Sequence, residues 1–275
     1  MERRRLLVVT GASVLVVPRA LSAQGTGKVP VVGILNTASA TAGTWNPVLR
    51  SGLRQLGYVE DRTIFLAFRH ANGRPEPLPR LAAELIQLNV DVLLAVGPAA
   101  VRAAKDAGSS IPIIAIDLES DPVRRGFIRS FARPGGNIAE LFLDLPSLTS
   151  KWLELLKETV PGLARVLVLW DPTTGPYQAD ALRVVAGELG LELQVVEMFT
   201  QFRRGRGLLA YGPDQARFLR PLATYVDKIL RSTKPVDLPV ELPDQFKLVV
   251  NLSTAKALGL TIPQSVLLRA DQVIE

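Results

Sequence analysis

The chain has 275 residues, of which 48% are hydrophobic and 21% charged, and it carries a formal net charge of +6. This composition is typical of one large globular domain or two of ordinary size, and it excludes a chain that is disordered throughout. With no cysteine and a single histidine, His70, the sequence also excludes disulfides, thiolate metal sites and a cysteine nucleophile, and it argues against a histidine-rich metal site or a Ser–His–Asp relay.

Residues 1–23 have the three-part pattern of a secretory signal peptide. Arginines open the segment, an apolar run from Leu6 to Val17 follows, and Pro18 ends that run before several small residues. The run is shorter than the roughly 20 residues that span a bilayer. A buried N-terminal helix is the alternative. The paired arginines allow the twin-arginine route beside the general secretory route, so we expect a periplasmic protein. Removal of residues 1–23 lowers the net charge to +3 and weakens the case for a nucleic-acid partner.

The first half of the remaining chain alternates short apolar runs with amphipathic helical segments. This alternation predicts an α/β fold in which a parallel sheet carries helices on both faces. The predicted strands read VPVVGILNT, TIFLAFRHA, DVLLAVG, IPIIAIDLES and IAELFLDL, and the predicted helices lie near residues 47–56 and in PLPRLAAELIQLNV, AAVRAAKDAG and DPVRRGFIRSFA.

Three loops follow predicted strands at the edge where such sheets bind ligands. They span residues 36–39, 97–99 and 119–121, and all three are small and polar. None contains G-x-G-x-x-G or a phosphate-loop lysine, so no nucleotide cofactor is predicted.

The second half repeats the pattern but holds fewer units. After the helix SLTSKWLELLKETVPGL come RVLVLWDP, QADALRVVAGELG and LELQVVE, and then the basic run FRRGRG interrupts the series before LLAYGP. Three arginines with two nearby phenylalanines form a weak stacking platform, so we favour a return segment over a nucleic-acid patch. The helix QARFLRPLATYVDKILRS, with a kink expected at Pro221, and FKLVVNLSTAKALGLTIP close the chain. A strand–helix–strand unit takes roughly 30 residues or more, so this half is short by one or two units.

Several runs resemble one protein family. They include LRQLGYVEDRTI, SDPV followed by SFARPGGN, and the C-terminal NLSTAKALGLTIP. The chain resembles the periplasmic substrate-binding components of ABC transporters, of the kind whose best understood relatives bind aromatic amino acids. The resemblance implies a type I periplasmic-binding fold, with two doubly wound parallel-sheet lobes joined by a hinge. It also implies a monomer without catalysis, metal or cofactor, which traps a small organic ligand and delivers it to an ABC permease with its ATPase.

The same resemblance implies lobe boundaries and a ligand site. The first lobe takes residues 28–140 and about 214–235, and the second takes 143–212 and about 238–275. Backbone N–H groups after the first and third strands are expected to hold an anionic group, and an aspartate is expected to meet an ammonium unless it caps a local turn. For Tyr211, a packed position at the hinge is the alternative to a ligand contact. The implied site residues are Asn36, Thr37, Ser39, Gly97, Pro98, Ala99, Asp121, Asp171, Thr173 and Tyr211.

The departure from the family pattern lies near residues 197–198. Relatives continue after the strand equivalent to LELQVVE with a helix, a strand, a ligand-facing loop, and a further helix and strand, whereas here Glu197 meets Met198 directly. We therefore expect a truncated, less stable second lobe that exposes apolar helix faces or a strand edge, and a weakened ligand site. The alternatives are an exported ligand-sensing subunit for a membrane signalling partner and a decayed copy that binds nothing. An enzyme has no motif in its favour, and a DNA-binding regulator would need a helix-turn-helix in front.

Overall fold

The computed structural model describes most of the chain after the first 27 residues. The predicted signal peptide and the arginines of FRRGRG lie outside the described residues. Among the described residues, no helix has both the length and the apolar character needed to cross a membrane. The described ranges are 28–39, 45–108, 110–117, 122–131, 134–142, 145–170, 177–197 and 207–275.

Strands and helices alternate as the apolar pattern predicts. The strands are β1 (Val31–Asn36), β2 (Phe65–His70), β3 (Val92–Val96), β4 (Ile113–Asp117), β5 (Ile138–Phe142), β6 (Arg165–Trp170), β7 (Glu192–Glu197), β8 (Leu209–Pro213), β9 (Phe246–Asn251) and β10 (Gln272–Ile274). The helices are α1 (Trp45–Gln55), α2 (Leu78–Gln87), α3 (Pro98–Asp106), α4 (Leu145–Thr159), α5 (Tyr177–Glu188), α6 (Gln215–Phe218), α7 (Pro221–Leu230), α8 (Leu252–Ala257) and α9 (Gln264–Leu267).

The first five strands form one parallel sheet in the order β2-β1-β3-β4-β5. Its central strands are buried on both faces, which explains why their sequences are continuous apolar runs rather than alternating ones. Helices α2 and α3 cover one face, and α1 and α7 cover the other. Helix α7 comes from late in the sequence, yet Leu222 and Val226 of α7 are fully buried in this core. The predicted α/β fold with helices on both faces is confirmed.

A close contact between α1 and α7 depends on Gly52. A Cβ atom added at Gly52 would lie 2.5 Å from the Cβ of Ala223 on α7. Carbon atoms pack at about 3.5–4.0 Å, so any larger residue at this position would force the helices apart. The glycine in the middle of α1 therefore sets the distance between the two helices on this face.

The helix predicted in DPVRRGFIRSFA is wrong, because residues 122–131 form turns. Gly126 adopts a positive φ of 68°. The Phe127 N–H donates to the Pro122 carbonyl at 2.8 Å, and the Gly126 N–H donates to the Val123 carbonyl at 2.9 Å. These two bonds have the pattern with which a left-handed glycine ends a helix. Gly126 therefore stops the segment after a single turn.

The second lobe holds two separate small sheets instead of one. Strands β6 and β7 pair in parallel, whereas β8 pairs antiparallel to β9, and β9 pairs parallel to β10. Helix α4 joins the two, since Leu153 packs in the cluster with α5 while Leu155 packs in the cluster with β9. The break falls between β7 and β8, where the sequence departs from the family pattern.

Within the described residues, one face of the β6–β7 pair has no cover. The face that packs against α4 and α5 includes Val166 and Val168, with Leu182 of α5. On the opposite face Leu167 is 57% exposed, Leu169 43% and Val196 37%. Apolar residues on both faces are typical of a strand covered on both sides, so the sequence of β6 suits a cover that the described residues do not supply.

Candidate functional site

The carboxyl ends of β1, β3 and β4 meet at one edge of the first sheet, and hydrogen bonds tie the residues after β1 and β3 to the neighbouring strands. The Thr37 backbone N–H and hydroxyl both donate to the Val96 carbonyl, at 3.1 Å and 3.2 Å. The Gly97 N–H donates to the Ile116 carbonyl at 2.9 Å, and the Gly73 N–H donates to the Thr37 carbonyl at 2.8 Å. The sequence-predicted loops at 36–39 and 97–99 therefore lie side by side.

Gly97 allows these two loops to approach closely. Its φ of 91° and ψ of 151° lie in a region that favours glycine. A Cβ atom at this position would lie 2.9 Å from the Thr37 hydroxyl oxygen and 3.3 Å from the Thr37 Cβ. Any side chain at residue 97 would thus displace Thr37, which identifies Gly97 as a residue that shapes the site.

The first turn of α3 presents backbone N–H groups at this edge. Pro98 occupies the first helical position, where its missing N–H is harmless, and no side chain caps the helix. The N–H groups of Ala99 and Ala100 have no acceptor within the helix, as in the first turn of any α-helix. Ala99 is partly exposed and Ala100 is buried. Together with the positive end of the helix dipole, this turn is suited to a carboxylate or a similar anion.

Asn36 is buried, at 1% exposure, and shapes the loop after β1 from within. Its Oδ1 accepts from the Ala38 backbone N–H at 3.0 Å, and its Nδ2 donates to the Ser39 carbonyl at 3.3 Å. These contacts fix the direction of residues 37–39 in the manner of an Asx-turn. The side chains of Thr37 and Ser39 are partly exposed.

Tyr211 on β8 is packed within the second lobe. Its ring stacks on Phe246 at a centroid distance of 5.8 Å, and its carbonyl accepts a 2.7 Å bond from the Trp152 indole N–H. Among the described residues, Tyr211 makes its hydrogen bond and its ring contact with Trp152 and Phe246, and neither reaches the loops at 36–39 or 97–99. This geometry suits the packed alternative better than a ligand contact. The other candidates from the family pattern, Asp121, Asp171 and Thr173, lie outside the described residues.

His70, the single histidine of the sequence, is a neighbour of the site. Its Nδ1 lies 3.4 Å from the Nδ2 of Asn36, and its ring stacks on Phe68. The half-buried position lowers the pKa of His70 below its usual value, because burial disfavours the charged ring. Only the pairing of β1 with β2, which places Asn36 opposite His70, reveals this proximity.

Two cavities among the described residues differ in their relation to this edge, and only the first reaches a candidate site residue. One of about 340 Å³ lies between α2 and α3 and reaches Ala99. Another of about 500 Å³ lies along α6 and α7, where Arg217 already pairs with Asp244 and the Tyr225 hydroxyl donates to Glu241. In the described part of the chain, no group of three or more His, Cys, Asp or Glu side chains could hold a metal ion.

The comparison with protein families gives one match. A family described as ABC transporter substrate binding protein matches residues 29–202 and 199–274. The match is in two pieces that meet at 199–202, between β7 and β8. The break in the match therefore coincides with the break between the two second-lobe sheets.

Relatives of known name and structure agree with this match. The tyrosine-binding protein of Clostridioides difficile is 27% identical over 143 residues, which are 51% of this chain and 41% of that protein. The chain thus aligns with less than half of that relative's length. A conserved domain protein from Vibrio cholerae superposes with a TM-score of 0.79 and 21% identity over 90% of this chain and 100% of the other. An ABC domain in complex with L-Trp from Streptococcus pneumoniae gives 0.79 and 19% over the same shares.

Proposed function

Because the chain belongs to the family of ABC transporter substrate-binding proteins, we propose that it captures a small organic ligand between its two lobes and delivers it to an ABC permease. The family binds solutes and does not catalyse reactions. A relative named for tyrosine binding and a structural neighbour that holds L-Trp make an aromatic amino acid the first candidate ligand. Closure of the two lobes around the ligand is the conformational change that such a protein uses.

The observation that carries the proposal is the junction of loops 36–39 and 97–99. It combines a buried asparagine that shapes one loop, a glycine that permits close approach, and a helix turn with N–H groups available to an anion. The carboxylate of an amino acid suits this turn. We place the ammonium group near Asp121 or Asp171, and we assign Thr173 to the opposing wall of the cleft.

Export and lobe boundaries complete the proposal. Substrate-binding proteins of this family are typically exported, and the pattern of residues 1–23 supports a cleaved signal peptide and a periplasmic location. We assign residues 28–140 and about 214–235 to the first lobe. The second lobe then takes 143–212 and about 238–275, in agreement with the packing of α7 on the first sheet and of β9 beside α4.

The test is ligand binding by the protein without residues 1–23. Mass spectrometry of the purified protein identifies any ligand that it retains, and calorimetry measures its affinity for L-tryptophan and L-tyrosine. Tryptamine, which lacks the carboxylate, is expected to bind at least tenfold more weakly, since it cannot use the α3 turn. Equal binding of tryptophan and tryptamine would contradict the proposed anion site.

A matched pair of glycine variants tests the geometry. Gly97→Ala is expected to weaken the binding of L-tryptophan about tenfold or more, because the new Cβ displaces Thr37. Gly187→Ala on α5 is the control, since a Cβ there meets open space. The same affinity in both variants would remove Gly97 from the site.

A second candidate function is supported by the divided second lobe. A copy that folds its first lobe but no longer binds a ligand is expected to show no retained ligand and no stabilisation by any aromatic amino acid. Recovery of a bound ligand would exclude this candidate.

A further inference from the structure

His70 lies behind the loop at 37–39 without being part of it. We propose that His70 is a positioning residue for ligand binding: in its neutral form it holds the Asn36 amide, and Asn36 in turn holds residues 37–39 in the orientation that the ligand meets. The role in binding rests on the function proposed above, whereas the coupling of His70 to the loop can be tested without a ligand.

The hydrogen bonds of Asn36 give this coupling its direction. Asn36 has one acceptor oxygen and two N–H groups. The oxygen takes the Ala38 N–H, one N–H reaches the Ser39 carbonyl, and Nδ2 also faces Nδ1 of His70 at 3.4 Å. At 1% exposure, Asn36 has almost no access to water. A buried amide that loses one partner is destabilised unless it reorients, and a reoriented Asn36 would release Ala38 or Ser39.

The protonation state of His70 decides whether it can hold Asn36. Nδ1 can accept the amide N–H only in the neutral tautomer that carries the ring proton on Nε2. In the imidazolium form both ring nitrogens carry protons, so two donors would face each other across 3.4 Å. Acidification is therefore expected to turn the contact from favourable to unfavourable.

Two charged side chains on the elements next to His70 have partners of their own. Arg50 of α1 lies over the Phe68 ring, 5.3 Å from its centroid, and bonds to Glu60. On β2 itself, Arg69 pairs with Glu84 of α2 at 2.7 Å. Burial lowers the pKa of His70, and no charged neighbour contributes to that shift. The neutral form therefore dominates near pH 7, and protonation of His70 is expected below the ordinary histidine pKa of about 6.5.

Two substitutions separate the acceptor from the bulk of the ring. His70→Asn places an amide oxygen near the position of Nδ1, where it can accept the Asn36 N–H at every pH. His70→Phe keeps an aromatic ring for the stack on Phe68 but removes the acceptor. At pH 7.5 we expect the affinity of His70→Asn for L-tryptophan to lie within about threefold of that of the unmodified protein. The affinity of His70→Phe is expected to be about tenfold weaker.

The decisive readout is the pH profile. In the unmodified protein, affinity for L-tryptophan is expected to fall about tenfold as the pH drops from 7.5 to 5, and His70→Asn is expected to remove that dependence. A profile in His70→Asn as steep as that of the unmodified protein would overturn the proposal, because a merely structural role predicts no difference between the two profiles.

A ligand-free measurement distinguishes failure of this inference from failure of the proposed function. In NMR spectra without ligand, the Asn36 side-chain amide and the Ala38 backbone amide are expected to shift with the titration of His70, and to stay constant in His70→Asn. If no ligand binds but these shifts occur, the coupling stands and only the proposed function fails. If the two amides do not respond to His70, the coupling is refuted, whatever the protein binds.

Discussion

The contact between α1 and α7 permits a quantitative prediction at Gly52. Substituting Gly52 by alanine adds a methyl carbon 2.5 Å from the Cβ of Ala223, whereas carbons pack at about 3.5–4.0 Å. Both atoms are bonded directly to backbone, so neither can rotate away and the helices must separate by about 1 Å. Overpacking of this kind costs about 1–3 kcal/mol, against a gain of about 1 kcal/mol from replacing a glycine within a helix. We expect a net loss of up to about 2 kcal/mol.

Urea unfolding, with hydrogen exchange read separately in α1 and α7, measures this effect in the first lobe. Gly187→Ala in α5 is the control, because its new methyl meets open space and is expected to stabilise by up to about 1 kcal/mol. The double variant Gly52→Ala/Ala223→Gly moves the methyl from one helix to the other and is expected to recover most of the loss. Strictly additive losses in the double variant, or a gain from Gly52→Ala equal to that from Gly187→Ala, would refute the packing argument.

Two further predictions concern strand β6 of the second lobe and Tyr225 of helix α7. Leu167 lies on the bare face of β6, so Leu167→Lys is expected to change the free energy of unfolding by less than about 0.5 kcal/mol. Val168 lies on the covered face, so Val168→Lys is expected to cost about 2 kcal/mol or more. Equal costs in urea unfolding would mean that the bare face is covered in solution. Tyr225→Phe removes bonds to the Pro239 carbonyl at 2.7 Å and Glu241 at 2.9 Å, with an expected loss of about 1–2 kcal/mol. Burial and Glu241 raise the pKa of Tyr225 in the folded protein. Above about pH 10 the unfolded tyrosine ionises, so the unmodified protein is expected to lose stability there that Tyr225→Phe does not lose. Parallel profiles of unfolding free energy against pH for the two proteins would argue against this.

The sequence predicted the first sheet well because each of its strands is short, apolar and separated from the next by a helical segment. Strands buried on both faces have few alternatives. The same reasoning failed at residues 122–131, where one glycine in a left-handed conformation ends the helix after a turn. Helix α9 and strand β10 at the end of the chain are only four and three residues long, too short to show a period.

The candidate site was predictable only in part. The edge of the sheet follows from strand order, so loops 36–39 and 97–99 could be named as neighbours from the alternation alone. Strand register and side-chain direction could not be read from the sequence. The position of His70 beside Asn36 therefore follows only from the pairing of β2 with β1 in the structure. For Tyr211, only the stack on Phe246 shows the direction of its ring.

The position of α7 also affects the order in which the chain can fold. The hydroxyl of Tyr58 donates to Asp227 across a separation of 169 residues, and the apolar face of β3 and β4 stays partly uncovered until α7 has been synthesised. Contacts between distant parts of a chain form slowly, because a long loop must close before they contribute. The emerging first lobe thus remains incomplete for most of translation. A chain that completes its core so late is expected to fold slowly, and slow folding favours the unfolded state that the proposed export through a narrow channel requires.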